Sequence, residues 1–144
     1  MRRRWSPRDA IHLKFGMTPQ VIEANRRVVD DYGRVAVQRG PLVYCLEQLD
    51  QPQGISLYDV SLDLRQDSSS AFREEFDNEL LGGIITLKHA GAWAEKASSD
   101  GKLYRKYAPT VPKGRQVGLK FIPYYAWANR AATPMQVWTP TFRA

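Results

Sequence analysis

Residues 33–47, GRVAVQRGPLVYCLE, determine the fold that this sequence predicts. Residues 34–38 form a short candidate β-strand, and Arg39-Gly40-Pro41 ends it. Proline cannot donate a backbone hydrogen bond within a sheet, so Pro41 is confined to the first position of the next strand. Residues 42–46 are apolar at every position, which is typical of a central strand covered on both faces. The stretch therefore predicts two strands separated by a turn, the second of them central in a sheet.

Further strand signals lie on both sides of this stretch. Residues 11–15 and 60–64 alternate apolar and polar side chains, as half-buried strands do. Asp100-Gly101 favours a hairpin turn, which would join a strand at residues 92–96 to one at residues 103–107. The remaining predicted strands are residues 84–88, 117–121, 124–127 and 135–138.

A short helix fits only residues 71–81, and Gly82-Gly83 would end it after one or two turns. About nine short strands without a sustained helical period predict an all-β protein, an antiparallel β-sandwich of jelly-roll type. We expect a single domain over residues 1–144, with residues 1–8 as a flexible basic segment at its start.

Length and charge exclude several classes of protein. A chain of 144 residues is one ordinary domain and is too short for a (β/α)₈ barrel of about 250 residues. The net charge of +6 divides into an acidic stretch at residues 59–79 and a basic stretch at residues 95–120. Such patches do not form one basic face, so we expect no nucleic-acid partner.

Membrane and export signals are also missing from the printed sequence. No apolar stretch approaches the roughly 18 residues that cross a bilayer, so we expect no membrane partner. No apolar run follows the basic residues 2–4, so no signal peptide is visible and a cytoplasmic location is expected.

The residues that could perform catalysis each have a simpler structural interpretation. The single cysteine, Cys45, lies in an apolar strand, where a thiol behaves as a small hydrophobic group. The carboxylates at residues 74–79 lie in the most polar part of the chain, which indicates a solvated loop. His12 is expected at the surface and His89 at the junction of a strand and a turn. We therefore assign no catalytic, cofactor-binding or metal-binding residue to this chain.

The aromatic residues near the C-terminus are the remaining candidates for a binding site. In a strand, Tyr125 and Trp127 would share one face, while Tyr124 would lie on the other. Asn129 and Arg130 follow directly and could supply polar contacts. Aromatic faces stack on sugars, but the same rings also fill cores and interdomain contacts, and we favour packing. These five residues are the candidate carbohydrate-binding or interface residues.

Several longer strings resemble one known region, the C-terminal β-sandwich of glycoside hydrolase family 127, the β-L-arabinofuranosidase family. The resemblance extends over roughly residues 5–140, and it rests on residues 23–28, 33–47, 80–83, 122–130 and 135–138. It implies an enzyme whose zinc-bound cysteine nucleophile and glutamate lie in an N-terminal (α/α) barrel, to which nothing here corresponds. The family's zinc would therefore be bound outside this chain, which itself needs no cofactor.

The resemblance implies an accessory role without catalysis. The expected partners are a catalytic (α/α) barrel, in the same chain or in another, or a second copy of this chain. The alternative is an autonomous carbohydrate-binding module that recognises arabinose-containing carbohydrate. Within the matched strings, Arg39 and Arg130 are expected to pair with carboxylates such as Glu23 or Glu47 and so to fix strand ends.

Overall fold

Nine β-strands make up the fold in a computed structural model, which describes residues 4–65, 71–95, 103, 104, 106 and 114–141. In chain order the strands are β1 (Pro19–Glu23), β2 (Arg34–Arg39), β3 (Leu42–Glu47), β4 (Val60–Leu62), β5 (Phe72–Asp77), β6 (Ile84–Glu95), β7 (Gly114–Pro123), β8 (Met135–Gln136) and β9 (Thr139–Pro140). Four 3₁₀ turns lie at Val29–Asp31, Gln48–Asp50, Leu57–Asp59 and Tyr124–Ala126. In the described part of the chain, no helix is long and apolar enough to cross a membrane.

The strands pair in one curled antiparallel sheet. Its main order is β1-β2-β3-β7-β6-β4, with β5 on β6, β8 on β3 and β9 on β2. A bridge between Leu62 and Thr141 brings β4 beside the end of β9, so the sheet curls back towards β2. The predicted all-β, antiparallel fold of about nine strands is confirmed.

Strand β3 lies between two apolar clusters, as its continuous apolar sequence predicts. Tyr44 and Leu46 belong to the larger cluster, while Cys45 points into a smaller one with Ile122 and Ala126. All three β3 side chains are completely buried. Burial of such side chains contributes about 1.5–3 kcal/mol each, so β3 is a main source of stability. The smaller cluster also holds the C-terminal aromatic residues in place.

The predicted helix at residues 71–81 is wrong, because this segment contains the strand β5. Residues Phe72–Asp77 pair in register with β6, from Phe72 opposite His89 to Asp77 opposite Ile84. The following turn needs left-handed backbone at Gly83, whose φ is 121°. A β-carbon at Gly83 would lie 2.6 Å from Cζ of Phe76. The two glycines therefore make a turn between strands and do not end a helix.

The predicted hairpin between residues 92–96 and 103–107 is also wrong. Residues 84–88 and 92–95 belong to the single long strand β6, which has an irregularity between His89 and Ala92. Residues 92–95 pair with β7, from Ala92 opposite Val117 to Glu95 opposite Gly114. The predicted turn itself lies outside the described residues, as do residues 1–3 of the predicted basic segment.

The N-terminal strand is displaced from its predicted place. Residues 11–15 are exposed and form no strand, and the first strand is β1, which pairs with β2. Apolar and polar side chains alternate at residues 11–15, but no strand in the described part of the chain pairs with them.

Candidate interaction site

The aromatic turn, residues 124–127, follows directly from β7 and forms a 3₁₀ turn rather than the predicted strand. Ala126 is completely buried in the smaller apolar cluster. The three rings point outwards, with Tyr124 47%, Tyr125 55% and Trp127 36% exposed. A 3₁₀ turn brings residues i and i+3 to the same side, so Tyr124 and Trp127 become neighbours. Their ring centroids are 6.2 Å apart. The predicted pairing of Tyr125 with Trp127 on one strand face is therefore wrong.

Polar groups beside the rings hold the turn in its own shape. Trp127 Nε1 donates to the Thr133 carbonyl at 3.0 Å. The Asn129 amide donates to the carbonyls of Tyr125 and Trp127, at 3.1 and 3.2 Å. The side-chain nitrogen of Asn129 thus donates within the turn.

Arg130 joins the turn to two carboxylates of the sheet. Its Nη2 lies 2.6 Å from Glu47 Oε2 and 2.5 Å from Asp50 Oδ2, and its Nη1 donates to Asp50 Oδ1 at 2.9 Å. The predicted pairing of Arg130 with Glu47 is confirmed. Arg39, in contrast, pairs with Glu74 at 2.7 Å, not with Glu23 or Glu47. Glu74 was not expected as the partner of Arg39, because its segment was predicted to be a loop. In the structure Glu74 lies in β5, which brings its carboxylate to Arg39.

Glu47 is completely buried and contacts both ends of residues 128–133, the segment that directly follows the rings. Besides Arg130, it accepts hydrogen bonds at Oε1 from the Ala128 amide at 3.2 Å and from Thr133 Oγ1 at 3.1 Å. A buried carboxylate needs such partners, because an unpaired one is very costly. We call Glu47, Asp50 and Arg130 the ionic clamp, since together they fix residues 128–133 to β3.

Lys120 extends the ionic clamp to β5. Its Nζ lies 3.3 Å from Asp50 Oδ1 and 2.8 Å from Asp77 Oδ2. Burial alone would raise the pKa of Asp50, but hydrogen bonds from Arg130 and the charge of Lys120 outweigh it and lower that pKa. Hydrogen bonding to Asp50 also raises the pKa of Arg130. Asp50 and Arg130 are therefore both charged at neutral pH.

Cys45 and two carboxylates of β5, which the sequence offered as candidate catalytic groups, have shifted pKa values. Burial raises the pKa of the Cys45 thiol to about 12, so the nucleophilic thiolate does not form at neutral pH. Hydrogen bonds from Lys120 and Lys88 lower the pKa values of Asp77 and Glu75, respectively. A glycosidase general acid needs the opposite shift. The carboxylates of β5 lie on an exposed strand, not in the predicted loop.

The two histidines differ in position. His12 is exposed, as predicted. His89 lies inside β6 and is buried, with its ring 5.1 Å from that of Phe72, so its placement at a turn junction is wrong. Its Nδ1 is 3.0 Å from the Ala71 carbonyl. Among the residues that the structure describes, no three His, Cys, Asp or Glu side chains are grouped to hold a metal ion.

The aromatic turn projects from the surface. A depression of about 730 Å³ is lined by Asp50 of the ionic clamp and by Lys120. None of the three rings lines it. Small-molecule sites are usually concave, and this depression does not include the three rings.

The fold and this site define a small antiparallel all-β domain with a braced, projecting aromatic surface. The family model for the glycoside hydrolase family 127 C-terminal domain matches residues 19–140. The chain therefore belongs to this family, and the resemblance seen in the sequence is confirmed.

Similar proteins are much longer than this chain. A non-reducing end β-L-arabinofuranosidase of Bifidobacterium longum subsp. longum is 37% identical over 128 residues, which are 88% of this chain and 19% of that protein. A solved family 127 β-L-arabinofuranosidase from Geobacillus stearothermophilus has a TM-score of 0.71 at 32% identity, covering 88% of this chain and 18% of that one. A second family 127 β-arabinofuranosidase structure gives a TM-score of 0.69 at 36% identity, with 88% and 17% covered. The chain thus spans about a fifth of the length of these relatives.

Proposed function

We propose that this chain is a non-catalytic accessory domain of a β-L-arabinofuranosidase-type glycoside hydrolase. It docks through the aromatic turn on the part of such an enzyme that performs catalysis. The resemblance to family 127 implies that this catalytic part is an (α/α) barrel.

The observation behind this proposal is that the rings are exposed while the side-chain nitrogens of Asn129 and Arg130 already donate within the domain. Asn129 donates to the backbone of the turn, and Arg130 is bound by Glu47 and Asp50. A sugar needs free donors and acceptors beside the stacking ring, whereas a protein partner is bound well by exposed Tyr and Trp. The surface therefore favours a protein partner.

Calorimetric titration tests the docking. The probe is the Bifidobacterium longum relative, shortened so that it ends before the segment similar to this chain. We expect Tyr125→Ala to weaken binding by about tenfold or more, as an aromatic residue central to an interface does. The matched control is Tyr58→Ala, because Tyr58 is 84% exposed and lies in a different 3₁₀ turn. Equal binding by the two variants, or no binding by the wild-type chain, would contradict the proposal.

An activity assay tests the absence of catalysis. The purified chain should not hydrolyse an aryl β-L-arabinofuranoside, since its thiol is buried and protonated. Turnover that persists through purification and disappears in Cys45→Ala would show that the chain is itself an enzyme.

A carbohydrate-binding module is the second candidate, and the exposure of Tyr125 and Trp127 favours it. Fluorescence titration with arabinose-containing oligosaccharides separates the two functions. A change at millimolar sugar that is absent in Trp127→Phe would support sugar binding. No change would support docking.

A further inference from the structure

Residues 11–15, which we call the N-terminal arm, have a strand pattern without a strand partner. Ile11, Leu13 and Phe15 are 60%, 76% and 58% exposed, and His12 and Lys14 alternate with them. Three large apolar side chains at every second position are typical of a strand that covers an apolar interior. Within the described part of the chain, no strand pairs with the arm.

The arm leaves the domain at a fixed point. Gly40, in the turn between β2 and β3, has φ +57° and no β-carbon, so Met17 packs against it. A β-carbon there would lie 2.4 Å from Met17 Sδ and 3.2 Å from the Gly16 carbonyl oxygen. β1 begins at Pro19, two residues after Met17, and pairs with β2 along its whole length. The contact at Gly40 therefore lies just after the arm, whose own side chains are exposed.

The family comparison separates the arm from this domain. The match to the C-terminal domain begins at residue 19, after the arm. The Bifidobacterium longum relative has about four-fifths of its length outside the part similar to this chain. Since the shared domain is the C-terminal one, most of that length precedes it, which is the direction in which the arm extends.

We propose that the arm is a β-strand that adds to an exposed sheet edge in the preceding part of a family 127 protein. In that position the backbone groups of residues 11–15 pair with the edge strand. Ile11, Leu13 and Phe15 cover the partner's apolar interior, and His12 and Lys14 face solvent. Strand addition of this kind gains affinity from backbone hydrogen bonds and specificity from alternate side chains. The proposal rests on the accessory role and adds a second contact to the aromatic turn.

Hydrogen exchange in a fused protein tests this proposal. The fused protein joins the shortened Bifidobacterium longum relative to the full chain described here, which removes any dependence on affinity between separate molecules. Amides of residues 11–15 should exchange about 100-fold more slowly than in the isolated chain, because they become part of a sheet. Leu13→Lys should remove most of this protection. Lys14→Gln, its neighbour on the solvent face, should leave it within about twofold.

Two results would overturn the proposal. One is equal exchange of residues 11–15 in the fused protein and the isolated chain. The other is slow exchange in the isolated chain that grows with concentration, which would make a second copy the partner. Either result can occur while Tyr125→Ala still weakens docking, so the arm can fail without the accessory role failing. In the reverse case, residues 11–15 would exchange slowly in the fused protein, while Tyr125→Ala would dock as well as the wild type.

Discussion

The aromatic turn and the N-terminal arm both expose large apolar side chains, yet only the turn is held by the rest of the domain. Ala126 is buried beside Cys45, and buried Glu47 contacts residues 128, 130 and 133 around the rings. The side chains of the arm are largely exposed, and Met17 lies against Gly40 just after its end. The turn is therefore a preformed surface, while the arm is a strand whose sheet lies elsewhere.

This difference separates two ways in which a domain meets a neighbour. A preformed aromatic surface loses little conformational freedom on binding, whereas a strand must be ordered when it pairs. Substitutions in the ionic clamp should therefore affect the isolated domain strongly, and substitutions in the arm should affect only the assembled protein.

The largest expected effect is that of Arg130→Ala. It leaves Glu47 buried without its main counter-charge, and breaking such a pair costs about 3 kcal/mol of unfolding free energy. Chemical denaturation followed by tryptophan fluorescence measures the loss. Arg65→Ala is the control, because Arg65 pairs with Asp63 at the surface, and its loss should be much smaller than that of Arg130→Ala. Equal losses would mean that the clamp does not stabilise the fold.

The second-largest effect is expected from acid, which should weaken the ionic clamp. The pKa of Asp50 is lower in the folded protein than its ordinary value of about 3.9, so Asp50 binds protons less readily when folded. Its stabilising contribution is therefore present above pH ~4 and is lost as the pH falls through the folded pKa. The unfolding free energy should fall more steeply with acid in the wild type than in Asp50→Asn. Parallel pH profiles would contradict this role.

A smaller effect is expected for Trp127→Ala. It removes the hydrogen bond to the Thr133 carbonyl and the contact with Tyr124, which together contribute about 1 kcal/mol. Tyr125→Ala, which removes a more exposed ring, should change the unfolding free energy by less than about 0.5 kcal/mol. Thermal unfolding distinguishes the two variants. A large loss in Tyr125→Ala would mean that its ring stabilises the domain itself.

The smallest effect is expected for Leu13→Lys in the isolated chain. Leu13 is exposed, so the substitution should leave the unfolding free energy within about 0.5 kcal/mol of wild type. A marked loss of stability in calorimetry would show that the arm packs on its own domain.

Local sequence predicted the fold class and the centre of the sheet well. The apolar run at residues 42–46 identified β3 because burial on both faces leaves a continuous apolar pattern. It failed at residues 71–81, where β5 pairs with the next strand, β6, because the exposed polar residues 73–75 give β5 no alternating apolar pattern. Alternation at residues 11–15 predicted a strand that needs a partner beyond the described part of the chain.

One ion pair of the candidate site was predicted from the sequence, and the rest of its geometry was not. Arg130 and Glu47 were expected to pair, while Asp50 and Lys120 were missed because β7 and the turn after β3 bring them together only in the fold. The 3₁₀ turn at residues 124–126 was also missed. Its buried Ala126 is the one signal that distinguishes it from a strand, and that burial depends on the smaller cluster around Cys45.

Hydroxyl-radical footprinting of the aromatic turn tests the central claim most directly. Oxidation of Tyr125 and Trp127 is measured in the isolated chain and in the fused protein, with Tyr58 as the internal reference. We expect both residues to be oxidised about fivefold or more slowly in the fused protein, because docking excludes water from exposed rings. Tyr58 should not change. Equal oxidation of Tyr125 and Trp127 in the two proteins would contradict docking through the aromatic turn.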